Sequence, residues 1–195
     1  GSEVVVIDDL RAGRREFLSD LVGRPGFRFV EADVMDRDAL AGAVSGCDWV
    51  FHLQANADVR RGLDHPTRDL EQNTVATSRV LEAMRGAGVS RIVFSSTGSV
   101  YGEPEVFPTP EDVAFPVQTS LYGASKLACE GLLAAYAAGF GFTSIICRFV
   151  SILGERYTHG HVLDFYCALK RDPNRLLVLG EGRQDPGAGA APPGR

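Results

Sequence analysis

The chain has 195 residues, 45% of them hydrophobic and 23% charged, the balance of a globular protein of one domain or slightly more, which excludes disorder over most of its length. Lys and Arg number 20 against 25 Asp and Glu, a formal charge of -5 with no polybasic run, so neither nucleic acid nor an anionic membrane is an expected partner. No apolar stretch nears the roughly 20 residues of a membrane helix, and the first residues lack a signal peptide's basic region and cleavage site, so a cytoplasmic location is expected.

Val4-Val5-Val6-Ile7 is a β-branched run closed by Asp8-Asp9, so the chain opens inside a strand with no earlier element leading into it. Unbroken apolar runs at residues 27–30, 49–53, 92–94 and 144–147 read as further strands covered on both faces, because half-exposed strands alternate. Helical periodicity marks residues 14–21, 37–44, about 68–85 and about 120–138. This alternation predicts an α/β fold, an open doubly wound parallel sheet with its ligand crevice at the carboxyl ends of the strands. After Arg148 come a loop rich in Gly, His and Tyr, an amphipathic helix near residues 162–170 and the run Leu176-Leu177-Val178-Leu179, the start of a second lobe. Residues 185–195 are Gly, Ala and Pro between two single charges and are expected to be disordered. Cys47, Cys129, Cys147 and Cys167 lie far apart in apolar stretches with no C-x-x-C pair, so neither zinc nor a disulfide framework is expected.

Three groups of residues can carry chemistry. Tyr122-Gly-Ala-Ser-Lys126 falls in the first turns of a helix, so phenol and ammonium share one face. An ammonium there favours phenolate, and bringing the tyrosine pKa from about 10 to neutral takes about 4 kcal/mol. The plainer alternative is a surface pair on a helix. Phe94-Ser-Ser-Thr97-Gly-Ser-Val-Tyr-Gly102 follows a strand and sets hydroxyls at the crevice rim, where they can orient a substrate hydroxyl; an ordinary Ser/Thr turn is the alternative. Asp8 ends the first strand, where a carboxylate accepts both ribose hydroxyls of a dinucleotide and repels a 2′-phosphate, which favours NAD over NADP. Arg11, Arg14 and Arg15 can instead cradle phosphate, and Asp8 or Asp33 can simply cap a helix or turn.

In this order the stretches resemble the extended short-chain dehydrogenase/reductase family, specifically its NAD-dependent nucleotide-sugar epimerase and dehydratase branch. The resemblance covers residues 3 to about 183. It rests on Val-Ile-Asp8-Asp9-Leu with Gly13-Arg14, Glu31-Ala-Asp33-Val34, Val50-Phe-His-Leu-Gln-Ala-Asn56, Asn73 with Thr77 and Leu81-Glu82-Ala83, the Ser-Ser-Thr97 loop and Tyr122-x-x-x-Lys126. It implies that Tyr122 is the catalytic acid/base, that Lys126 lowers its pKa and bonds the nicotinamide ribose, and that Thr97 shares the substrate proton. Asp8 would hold the adenosine ribose, Asp33 and Val34 would lie near the adenine, and Leu53, Gln54 and Ala55 would pass under the dinucleotide with Asn73 supporting that wall. The implied cofactor is NAD and the implied substrate a nucleotide sugar. A homodimer pairing the helices at residues 68–85 and 120–138 is also implied, with Ala124, Ala128, Ala134, Ala135 and Ala138 permitting close approach; internal packing explains these alanines equally well.

The chain also departs from the family. The glycine-rich turn that binds pyrophosphate is absent, so residues 1–150 read as a Rossmann-like unit without its first strand, and residues 151–184 as part of the substrate lobe. The isolated chain is therefore expected to bind NAD weakly and to be inactive. Gly98 and Ser99 stand where sugar dehydratases carry an Asp-Glu pair, which favours epimerisation, most simply at C4 of an NDP-hexose. Ser151 replaces an Asn that touches substrate diphosphate, and Gln54 replaces a small residue. His159 and His161 are left out of the site as loop histidines. The alternatives are a dehydratase or reductase of the same branch and a non-catalytic nucleotide-binding module.

Overall fold

The computed structural model describes residues 1–56, 64–104, 106, 108–113, 117–150, 152–157 and 160–178. Among these residues five strands form, β1 Val4–Asp8, β2 Phe27–Glu31, β3 Val50–His52, β4 Arg91–Thr97 and β5 Thr143–Phe149, and every pairing among them is parallel. β1 pairs with β2 in one sheet, Val4 opposite Phe27. β3, β4 and β5 form a second sheet, with Val50 opposite Ile92 and Arg91 opposite Thr143. Between β1 and β3 runs a groove of about 2140 Å³, walled by Val4 to Ile7 on one side and Val50 to His52 on the other.

The helices are α1 Arg37–Val44, α2 Pro66–Asp69, α3 Ala76–Ala87, α4 Leu121–Phe140 and α5 His161–Arg171. Asp36 caps α1 by accepting the Asp38 and Ala39 N–H groups at 3.0 and 3.1 Å. The predicted helix over residues 68–85 is one continuous rod with a π turn, Leu70–Val75, between α2 and α3. Residues 14–21 do not form the expected helix; only a 3₁₀ turn, Arg15–Leu18, is present, and none of its side chains is buried, so packing does not offset the cost of nucleating further turns.

The core joins Leu40 and Val44 of α1, Val80, Leu81 and Met84 of α3, Cys129 and Leu133 of α4, and Ile92 and Phe94 of β4. β4 therefore alternates, with Ile92, Phe94 and Ser96 buried and Val93, Ser95 and Thr97 partly exposed. This corrects the expectation of strands covered on both faces. On the other face Phe51, Val93 and Ile145 are in register, with Phe51 66% and Ile145 48% exposed. No residue of α5 is buried. Residues 176–178 form no strand, and Leu179 and the expected disordered tail at 185–195 lie outside the described residues. All four cysteines are free thiols, and no helix among the described residues is long and apolar enough to cross a membrane.

Candidate active site

β4 delivers Ser95, Ser96 and Thr97 to its carboxyl end. Thr97 Oγ1 accepts the Ser99 N–H at 3.1 Å and so caps a 3₁₀ turn, Gly98–Tyr101. Ser120 caps α4 in the same way, its Oγ accepting the Gly123 N–H at 2.9 Å. Gly123 then presses against the turn: a Cβ at this position would stand 2.7 Å from Gln118 Oε1 and 2.9 Å from the Ser99 carbonyl oxygen. This contact brings Thr97, Tyr122 and Lys126 into one pocket of about 260 Å³, which Leu53, Ala55 and Phe149 also line.

Lys126 is only 1% exposed. Its Nζ donates to the Ser95 carbonyl at 2.8 Å and sits 4.6 Å from the centre of the Phe94 ring. Burial lowers its pKa to about 8, with Cys129 acting in the opposite direction. The Tyr122 pKa is raised, first by burial and then by the Asp69 carboxylate and Cys129, while a hydrogen bond with Thr97 pulls it down. Lys126 is not among the groups that act on the phenol in the chain alone. The ammonium is committed to the Ser95 carbonyl and the Phe94 ring, and in the chain alone Tyr122 is an acid that keeps its proton. His52 is a neutral ring whose Nε2 lies 2.9 Å from Thr77 Oγ1; burial, and then the Lys126 charge, lower its pKa to about 3.

Asp8, Asp33, Val34, Leu53, Gln54 and Ala55 all line the groove between β1 and β3, and Leu53 and Ala55 also line the pocket, so the two cavities share a wall. Asp8 is exposed; its Oδ1 accepts the Leu10 N–H at 2.7 Å, and Gly13 folds over it so closely that a Cβ there would stand 2.9 Å from this oxygen. Asp33 accepts the Met35 N–H at 2.8 Å and Arg11 Nη2 at 2.7 Å. Arg11 also meets Asp9 at 3.1 Å, and Arg15 pairs with Glu31, so two of the three arginines considered for phosphate are engaged by carboxylates. Asn73 lines neither cavity: it is buried, and its Oδ1 accepts the Asn56 N–H at 2.8 Å, supporting the wall from behind.

A family model described as the NAD dependent epimerase/dehydratase family matches residues 1–185. The chain belongs to this family. A UDP-glucose 4-epimerase from Mycolicibacterium smegmatis is 43% identical over 140 residues, 70% of this chain and 44% of that protein. A UDP-glucose 4-epimerase from Corynebacterium glutamicum is 35% identical over 155 residues, 79% of this chain and 45% of that protein. The crystal structure of a UDP-galactose 4-epimerase superposes with a TM-score of 0.79 at 41% identity, over 92% of this chain and 58% of that one. That of a dTDP-glucose 4,6-dehydratase from Streptomyces venezuelae with NAD bound gives 0.83 at 29%, over 93% and 56%. The chain spans about half the length of the curated relatives it matches.

In this member of the epimerase/dehydratase family, Asp69, Glu130 and Arg148, which belong to none of the motif stretches, help to support the pocket. Asp69 Oδ1 accepts Asn56 Nδ2 at 2.9 Å, and Asn73 Nδ2 donates to Ser125 Oγ at 2.8 Å. Ser96 donates to Glu130, which also holds Arg148 at 2.8 Å, and Arg148 Nη1 donates to the Tyr101 hydroxyl at 3.0 Å. Asn56, Asn73, Ser96, Tyr101 and Ser125 lie in the stretches singled out in the sequence, whereas Asp69, Glu130 and Arg148 carried no sequence signal and meet them only in the fold. Ser151 and His159 lie outside the described residues. For NAD, the residues fit at both ends: an exposed carboxylate closes β1, and a buried ammonium with two hydroxyls occupies the pocket.

Proposed function

We propose that this family member is a nucleotide-sugar 4-epimerase acting on an NDP-hexose with NAD as its cofactor. The observation that supports this best is the gathering of Thr97, Tyr122 and Lys126 in one pocket with Gly98 and Ser99, not acids, on the adjoining turn. NAD, when bound, supplies a hydride acceptor and a positive ring near the phenol. Asp8 would hold the adenosine ribose, Asp33 and Val34 the adenine side, Leu53 to Ala55 the floor and Lys126 the second ribose.

In this reading Tyr122 Oη takes the proton of the sugar C4 hydroxyl and returns it once the configuration has changed, while Thr97 Oγ1 holds the same sugar oxygen. Because the phenol holds its proton in the chain alone, its basic form depends on added positive charge in the pocket. Leu53 and Phe149 supply apolar walls that limit water. Residues 1–150 are the dinucleotide-binding unit and residues 151–184 the beginning of the substrate lobe, a division supported by α5 having no buried residue. The groove between the unpaired edges of β1 and β3 is where the family's first strand would lie, with the pyrophosphate held by the glycine-rich turn after it. A homodimer pairing the helices over residues 68–85 and 120–138 completes the reading.

The test follows UDP-glucose by proton NMR with NAD present. It uses the chain itself and the chain joined behind a first strand, glycine-rich turn and helix of the family's type. UDP-galactose formed by the joined protein and lost in Tyr122→Phe is the expected result. A 4-keto-6-deoxy sugar or net NADH would point to the dehydratase or reductase alternative, and NAD binding without turnover would leave only a binding module.

A further inference from the structure

Asp69, the last residue of α2, is 1% exposed. Its Oδ1 accepts Asn56 Nδ2 at 2.9 Å and Asn73 Nδ2 at 3.4 Å, whereas Oδ2 is buried without a hydrogen-bond partner among the described residues. Both donors are neutral amides. An asparagine at position 69 would accept the same two bonds, so what the carboxylate adds is a charge, and a buried charge without a counterion is costly.

That charge lies at the foot of a chain of bonds leading to the phenol's helix. Asn73 Nδ2 donates to Ser125 Oγ at 2.8 Å, and Ser125 Oγ donates to the Tyr122 carbonyl at 2.8 Å. Thr74 Oγ1 also reaches the Ser125 carbonyl at 3.1 Å, so two consecutive side chains of the π turn grip the first turns of α4. The same Asn73 holds the Asn56 N–H and with it the shared wall of pocket and groove. The Asp69 field acts on Tyr122 in the direction that keeps the proton on. Other ionisable groups packed around this end of α4 are Lys126 and Cys129 on α4 itself, His52 on β3, and the Glu130–Arg148 pair joining α4 to β5. Of these, Cys129 acts on the phenol in the same direction as Asp69, and Lys126 is held by Ser95.

We propose that Asp69 is a positioning residue for Tyr122: it anchors the Asn73–Ser125 chain that seats the start of α4, and it places a carboxylate, where a neutral amide would accept the same bonds, at the end of the helix that carries the phenol. The proposal rests on reading Tyr122 as the acid/base, but its test needs no turnover. The chain is produced with 3-fluorotyrosine, which titrates below tyrosine and so within the folded range. The ring signal assigned through Tyr122→Phe is followed by fluorine NMR. Asp69→Asn and Asp69→Ser should lower the Tyr122 midpoint by about one pH unit, while Ser125→Ala, which cuts the chain of bonds and keeps the charge, should leave it in place. An unchanged midpoint in a folded Asp69→Asn or Asp69→Ser protein overturns the proposal. So does failure of both uncharged variants to fold, which would make Asp69 a purely structural residue. A shifted midpoint in the chain, with no turnover of a nucleotide sugar by the joined protein, would sink the epimerase reading and leave the Asp69 effect standing.

Discussion

Gly123 and Ser99 are in backbone contact: a Cβ on Gly123 would lie 2.9 Å from the Ser99 carbonyl oxygen, nearer than real Cβ atoms come. The contact joins the start of α4 to the turn that Thr97 caps, and it places phenol and hydroxyl in one pocket. Gly123→Ala therefore has to push the two segments apart. The expected cost is about 1–3 kcal/mol, seen as a lower Tm, together with loss of the hydrogen bond that draws the Tyr122 pKa down. Unchanged stability with an unchanged Tyr122 titration would mean that the turn yields freely.

His52 makes stability depend on acid. Its pKa is about 3 in the folded chain against about 6.5 when exposed. Between those values the unfolded chain binds a proton that the folded chain refuses, so this contribution is complete above about pH 6.5 and fades as pH falls toward 3. Urea unfolding should lose about 2–3 kcal/mol between pH 7 and pH 4.5 from this group. His52→Gln should flatten that limb by the same amount, and an equally steep limb in the variant would assign the acid loss elsewhere.

Lys126 is held at a cost to stability. With a folded pKa of about 8 against an ordinary 10.5, the unfolded chain keeps its proton over a range where the folded chain releases it, so stability rises from pH 8 to 10.5. Lys126→Met retains the apolar stem and removes the charge. At neutral pH it should gain about 1–3 kcal/mol while forfeiting any activity, and His52, relieved of one of the two causes lowering it, should titrate higher. A less stable variant would mean that the bond to Ser95 and the Phe94 contact outweigh desolvation.

The strands were legible in the sequence as short apolar runs, although β4 alternates in burial, and the end of β4 was not. Ser95, Ser96 and Thr97 carry no hydrophobic period, yet they pair with Cys147, Arg148 and Phe149 and belong to the strand. Residues 14–21 showed the opposite mismatch, a helical pattern with nothing to pack against. At the site, Tyr122, Lys126 and Thr97 could be read from spacing and resemblance, but the direction in which the Tyr122 pKa moves could not. That direction depends on burial and on Asp69, whose neighbour Asn73 bonds Ser125 across 52 residues of chain.

Glu130 and Arg148 form the most enclosed ion pair among the described residues, with side chains 9% and 29% exposed. The pair ties α4 to β5, and through Ser96 and the Tyr101 hydroxyl it also holds both sides of Thr97. Removing one partner strands the other, so Glu130→Ala should cost about 2–3 kcal/mol after allowance for the partly exposed guanidinium. The double variant Glu130→Ala with Arg148→Met should cost less than the sum of the single variants. Strict additivity in urea unfolding would show that the pair does not act as a unit.

The alanines of α4 that were open to internal packing turn out to be exposed: Ala124, Ala128, Ala134, Ala135 and Ala138 all face outward, and Gly131 joins them. Positions 124, 128, 131, 135 and 138 are spaced alternately by four and three residues, which puts them on one side of the helix, opposite Lys126, Glu130 and Leu133, which are buried. Side chains this small let two helices approach closely without leaving voids, the geometry that the proposed homodimer needs. Ala128→Arg, on the middle of that face and away from the pocket, should convert a dimer to a monomer in sedimentation velocity without lowering Tm by more than the loss of association accounts for. A wild-type chain that sediments as a monomer at every concentration would remove α4 as the pairing surface of these residues, whatever the variant does.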